Sequence, residues 1–541
     1  MLKDVDVASL QTQLQALGDT AAAQYAREFI EQLRTQVQTQ HAELKFKQTK
    51  IDALNFELAR LKQWRFGKSS ESLDAQRLNP QTQLFDAKTE ALLVEESKAE
   101  DRAEDEARTP GPSRIKRQAK RQALPSQLER IDHHYEIEPA VCSAGHPLKR
   151  FGQEISEQLD CVPAQFFVHR HIRGKYACVC CNTVHVAPMP AQIIDKGIPA
   201  PGLLAQVIIA KHDDHLPLFR QEEIYRRSGA FIARSSMASW IGSSGAQLQP
   251  LAQALRQHLH HQAVLHADET PIKLLAPGSG KTDTAYAWVI RSSDLETRER
   301  AVVYEFCSSR QGQHAATLLE GFQGSLVCDD YSGYKALFKQ KTIQEAGCWA
   351  HARRKFFEAH KLNQSEIAKE ALNRIQHLYE LERQGAQLDQ QQRHLLRQTQ
   401  NAPLLQEFKA WLLTQRQQLM NADVTAKAMD YTLKRWAALT LHLADARIPI
   451  DNNAVENAIR PLALGRKNWL FVGSQQAGER AAVLMTLIES AKLNGHDAWV
   501  YLKDVLTKLP TWPNSRLHEL LPHRWVPPET VHAPSTAPVN T

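Results

Sequence analysis

The chain has 541 residues, of which 43% are hydrophobic and 23% charged, a composition ordinary for a protein of several globular domains. A formal net charge of +6 favours a polyanionic partner. No apolar run approaches the roughly 20 residues of a membrane-spanning helix, and Met1-Leu2-Lys3-Asp4 opens no signal pattern, so no membrane partner and a cytoplasmic location are expected, with the 8 cysteines reduced.

Within residues 1–66 a heptad begins at Ile30. Its a positions are Ile30, Val37, Leu44, Ile51 and Leu58; its d positions are Leu33, Gln40, Lys47, Leu54 and Leu61. This pattern predicts a coiled coil and a homo-oligomer, the alternative being an amphipathic helix packed on its own domain. Residues 67–125 read as a charged linker: an acidic block (Glu95 to Glu106), Pro110-Gly111-Pro112, then a basic block (Arg114 to Arg121).

Residues 126–196 carry Cys178-Val179-Cys180-Cys181, and upstream Cys142 with His146. Cys142, His146, Cys178 and Cys181 make a candidate tetrahedral Zn²⁺ site, in a small module that would lean on its metal for stability. A degenerate knuckle without metal is the alternative, and Cys161 reads as a core residue. Residues 197–262 are predicted helical, with Ser228-Gly229-Ala230 as a turn. The helix that follows, small and polar at its start, is a candidate for a DNA major groove; a plain core triplet is the competing reading.

In residues 263–475, strands are predicted over 263–274, 284–291, 300–306 and 324–329, with a helix near 310–319 before the last. That order describes the first half of a ribonuclease H-like fold. A helical stretch over 344–440 follows, with an insertion at about 362–440 that has no assignable chemistry in its Gln-rich centre. A helix bearing Glu456 and a helical tail (476–541) complete a multidomain α/β chain. Three acidic sites stand out: His266-Ala267-Asp268-Glu269, Cys328-Asp329-Asp330 and Glu456. Hard oxygen ligands at two strand ends and on a late helix suit Mg²⁺ or Mn²⁺, and two such ions can clamp an in-line phosphoryl displacement. Alternation places Asp268 and Glu269 on opposite faces without choosing between them, and Asp329 and Asp330 are likewise undecided. Glu456 adjoins the stripe Val455, Ile459, Leu462. Asp451 or Asn452 is placed to cap its helix, Arg460 to steady its carboxylate or meet a phosphate, and Pro461 to end or kink it.

Together these motifs resemble the transposases of the insertion-sequence family IS sixty-six (IS66). The likeness rests on Phe66-Gly67-Lys68-Ser69-Ser70-Glu71, His266 to Pro271, Asp329 through Gly333-Tyr334, and His351-Ala352-Arg353-Arg354-Lys355-Phe356. It continues through Asp451-Asn452-Asn453, Glu456-Asn457, Gly465-Arg466-Lys467-Asn468-Trp469 and Leu520-Leu521-Pro522. The resemblance implies Asp268, Asp329 and Glu456 as a metal-binding catalytic triad on a ribonuclease H-like core. It also implies recognition of terminal inverted repeats in double-stranded DNA, cleavage at the element's 3′ ends and strand transfer, beside small companion proteins. Arg353, Arg354, Arg460, Arg466 and Lys467 are the candidate DNA contacts. One departure concerns zinc: Gly145 stands where the family has a second cysteine, with His146 beside it. The competing functions are an inactive end-binding regulator and a ribonuclease H-like nuclease.

Overall fold

The computed structural model describes residues 128–136 and 149–528 apart from 163, 164, 179, 182, 277–280 and 297, with isolated residues before 128. Gln40 is helical and exposed. The other heptad positions, the charged blocks of the linker, and Cys142 and His146 lie outside the described residues. The chain divides into a larger unit (81–350, 386–395 and 438–541) and a smaller one that includes 351–385 and 396–437.

The larger unit begins with a four-stranded sheet. Strand β3 (Gln165–Ala177) lies at its centre, parallel to β1 (Glu129–Tyr135) and antiparallel to β2 (Lys149–Val162) and β4 (Val184–Val186). These strands lie within the region expected to form a small zinc module. Two long strands bury Leu159, Cys161 and Val168 in an apolar core shared with the helices that follow, so hydrophobic packing stabilises this region. Burial also pushes the Cys161 thiol up to about 12, leaving it an inert core group.

Three helices follow: α1 (Pro201–His212), α2 (Leu218–Arg227) and α3 (Arg234–His260). Gly229, at φ +81, makes the turn after α2. The start of α3 buries Met237, Ala238 and Ile241, and its apolar stripe continues to Leu259. Exposed arginines lie instead on α2, at Arg220, Arg226 and Arg227.

A five-stranded sheet forms the centre, in the order β7-β6-β5-β8-β9. Strands β5 (Val264–Ala276), β6 (Lys281–Ser292) and β7 (Val302–Cys307) run as an antiparallel meander. Helix α4 (Gly312–Leu318) then crosses to β8 (Gly324–Val327), which lies parallel to β5 and to β9 (Ile343–Ala346). Strand β9 replaces the helix expected from 344; four residues are too few to show a period. One face of the sheet packs Leu265, Ala267, Trp288 and Ile290 against α1, α3 and the C-terminal helices. The other packs Ile272, Val289 and Tyr304 against Val455, Ile459 and Leu462.

After the smaller unit's segments the chain returns as α5 (Asn453–Trp469), α6 (Gln475–Leu493) and α7 (Ala498–Lys508). Helix α5 continues through Pro461, which therefore does not end it. The lost backbone bond is offset by the buried stripe and by Arg466, whose Nη1 donates to Thr270 Oγ1 (3.0 Å) and the Pro271 carbonyl (2.8 Å). Helix α6 protects the sheet edge: the amides of Val302 and Tyr304 donate to Ser490 Oγ and Thr486 Oγ1, each at 3.0 Å. Tyr501, Leu502, Leu506, Leu520 and Leu521 of the tail are buried.

The smaller unit is helical. Its Gln-rich part contributes Arg397, fully buried, which donates to Glu382 at 2.9 and 2.6 Å, while Asn401 Nδ2 adds a bond of 2.6 Å to the same carboxylate. A charge buried this deeply persists because its partner is bidentate and itself hydrogen-bonded. Among the described residues no helix is long and apolar enough to cross a membrane.

Candidate carboxylate centre

The parallel register of β5 and β8 pairs His266 with Val327. Asp268 and Asp329 each lie two residues further on, Asp268 within β5 and Asp329 just past the end of β8, so the two adjacent strands carry them side by side. By alternation Asp268 shares a face with His266 and Ile272, which is the face that α5 covers.

Asn452 fixes how α5 meets β5. Its Nδ2 donates to the Ala267 carbonyl (2.9 Å), leaving Oδ1 to accept from His266 Nδ1 (2.9 Å), and its amide donates to Cys348 Sγ (3.2 Å). Burial holds His266 down at about 4, so it is a neutral donor here. Asn452 occupies the N-cap position, but its side chain makes no capping bond; Asp451 Oδ1 instead accepts from the Asn453 amide (3.1 Å). The Glu456 amide donates to the Asn452 carbonyl (3.2 Å), which sets Glu456 one helical turn beyond the clamp. Asp268 feels its acidic neighbours. Burial, then Glu269, then Asp329 and Glu456 push Asp268 up to about 8, against one backbone bond from the Glu269 amide (2.8 Å) that opposes the shift.

The geometry separates the acidic pairs that alternation left open. Glu269 points to the other face, where it accepts from Arg310 Nε (2.8 Å), Arg310 Nη2 (2.5 Å) and Tyr334 Oη (2.9 Å). Asp330 pairs with Lys335 at 2.7 Å. Asp329 accepts from the Tyr331 amide (2.8 Å). Asp329 and Glu456 thus add to the burial and to Glu269 in raising Asp268.

Other expected contacts fall elsewhere. Arg466 ties α5 to β5, Arg460 and Lys467 are exposed, and Arg353 and Arg354 are exposed in the smaller unit. Cys178 is buried and Cys181 exposed, its sulfur 3.4 Å from Thr183 Oγ1. Sequence reasoning assigned no role to His266 and capping only to Asn452, although both stand inside quoted motifs. It missed Arg310 altogether, a lone cation after β7 with no pattern around it. The Arg310 side chain is 45% exposed, held by Glu269 and laid over the Tyr331 ring at 3.9 Å.

A family model described as "Transposase IS66 family" matches residues 196–480. The chain belongs to this family. Further IS66 matches cover a zinc-finger binding domain over 139–182 and the C-terminal element over 486–523. A match described as "Transposase C of IS166 homeodomain" spans 53–132. The chain is 38% identical to the uncharacterized protein y4qI of Sinorhizobium fredii (strain NBRC 101917 / NGR234) over 75% of this chain and 78% of that one. It is 34% identical to y4hP and 36% to y4jD of the same organism, over 75% and 74% of this chain and 77% and 81% of theirs; both are likewise uncharacterized. IS66 membership points to DNA transposition, with DNA as partner, divalent metal use in the central domain and a zinc-binding part before it.

Proposed function

We propose that this IS66 member binds the terminal inverted repeats of an insertion sequence, cleaves the DNA at the 3′ ends and joins those ends to target DNA. Asp268, Asp329 and Glu456 are the catalytic triad and the ligands of two Mg²⁺ or Mn²⁺ ions. The observation that carries this reading is that Asp329, just past the end of β8, and Glu456, on a clamped helix, both act on the buried Asp268 of the neighbouring strand β5. The strand order supports a ribonuclease H-like core: three antiparallel strands, then two parallel to the first. When bound, the ions supply Lewis-acid stabilisation of the attacking and leaving oxygens. The protein's own part is to orient its carboxylates, with Asp268 giving up its proton when the cation binds. Arg310 presents a planar donor fixed by Glu269 and Tyr331, suited to a phosphate oxygen. The heptad supplies a homo-oligomer, the cysteine region a zinc site, and the companion proteins act beside it in the cytoplasm.

The test is cleavage of a labelled duplex carrying the element's end, in Mg²⁺ or Mn²⁺. Nicks at the 3′ ends support the reading; bound but uncut DNA in both metals would favour the end-binding regulator.

Two further outcomes are expected. Because Asp268 must lose a proton to bind metal, Mg²⁺ binding at pH 7 releases a proton, and its apparent affinity climbs about tenfold per pH unit from pH 6 until about 8. Calorimetry in buffers of different ionisation enthalpy reads this directly. Asp268→Asn removes the release, whereas equal affinity at pH 6 and 8 in the wild type contradicts the assignment. Arg310→Lys keeps a cation beside Glu269 but loses the planar fork. Single-turnover cleavage should fall about a hundredfold at an unchanged melting temperature; an unchanged rate limits Arg310 to a structural ion pair.

A further inference from the structure

The larger unit holds a cavity of about 500 Å³ on the sheet face that α5 covers, within the range that takes a small ligand. Ile272 of β5 lines it, with Trp469 and Phe471 from the end of α5 and the turn after it, and Phe219 from α2. Lys211, His215 and Arg234 add cations and an imidazole to this apolar lining.

Two features suggest that the cavity is shaped for an occupant. Five non-glycine residues among those described have positive φ, and two of them, His215 (58°) and Leu470 (62°), line this cavity. Backbone strain of that kind persists where the surroundings enforce it, often at ligand sites. His215 Nδ1 is also buried without a hydrogen-bond partner among the described residues. At Gly465 a Cβ would stand 2.7 Å from Trp469 Nε1 and 3.0 Å from His215 Nδ1, so the missing side chain lets both rings approach α5.

Aromatic walls with cations beside them suit a flat ligand attached to an anionic backbone. Position narrows the choice. Ile272 lies four residues beyond Asp268 on the same face of β5, roughly 13 Å at about 3.3 Å per residue. That distance equals about four base-pair rises of about 3.4 Å. We propose that the cavity receives one nucleobase extruded from the DNA end, within about four nucleotides of the scissile phosphate. The proposal rests on the transposase reading.

Removing the base that must be extruded spares the cost of unstacking it. Single abasic sites are therefore scanned through end-bearing duplexes and cleavage is compared in wild type and Trp469→Leu. Trp469→Leu should cut intact ends about ten- to hundredfold more slowly. An abasic residue at one position should restore it to within about threefold of wild type, with other positions giving no rescue. Phe219→Ala, altering a side chain that is 46% exposed, should show the same rescue position with less risk to folding. Wild type that cuts, with no rescue in either variant or no defect in either, overturns the cavity assignment alone; a peptide segment as occupant would give that result. Wild type that binds ends and cuts none in either metal overturns the function reading and the cavity assignment with it.

Discussion

Asp268→Asn abolishes 3′-end cleavage while leaving end binding largely intact. The loss should reach a thousandfold or more: oxygens held by a metal pair contribute several kcal/mol to the transition state, and about 1.4 kcal/mol is tenfold in rate. The same change removes the residue that burial and three neighbouring acids push up to about 8. A folded-state carboxyl raised in this way makes the metal-free protein lose stability as pH rises from about 4 to about 8, because the folded state then holds a proton that the unfolded state has released. Asp268→Asn should flatten that decline, so melting temperature against pH in a chelator checks the electrostatics independently of DNA. Loss of end binding together with cleavage would instead assign Asp268 a structural role.

Asn452→Ala should be nearly as damaging to activity although the residue is not a metal ligand. It breaks the bonds to His266 and the Ala267 carbonyl and leaves buried groups unsatisfied, at about 1–3 kcal/mol each. Stability should fall by about 3 kcal/mol. Cleavage by the fraction that stays folded should fall at least about a hundredfold, since a displacement of about 1 Å at a reacting centre has that effect. Urea unfolding and single-turnover cleavage below the transition separate the two effects. Cleavage at the wild-type rate by folded Asn452→Ala would show that the clamp does not position Glu456.

Four of the five strands of the central sheet were legible because β-branched and apolar runs of six or more residues carry a strong local signal, whereas the four residues of β9 do not. Choosing between Asp268 and Glu269 was not legible from local sequence. Alternation gives two faces, but which one meets the acidic helix depends on a segment nearly two hundred residues later, through Asn452. Pro461 was legible only in part for a related reason: local chemistry allows an end or a kink, and burial of Val455, Ile459 and Leu462 keeps the helix from ending there. The β2–β3 hairpin was hidden behind the cysteines, which drew the reading to a zinc module, although its two strands pair over a long register. Arg310 gave no signal at all, because its partner Glu269 is distant in sequence and its chemistry exists only in the folded chain.

The most direct measurement of the central claim is strand transfer in Mg²⁺, using labelled DNA that carries the element's own ends, with wild type and Glu456→Gln side by side. The account predicts joined products from wild type only, with both proteins binding the ends. Joined products from both would contradict the triad, and bound ends with no joined product from either, companion proteins included, would contradict the transposase activity itself.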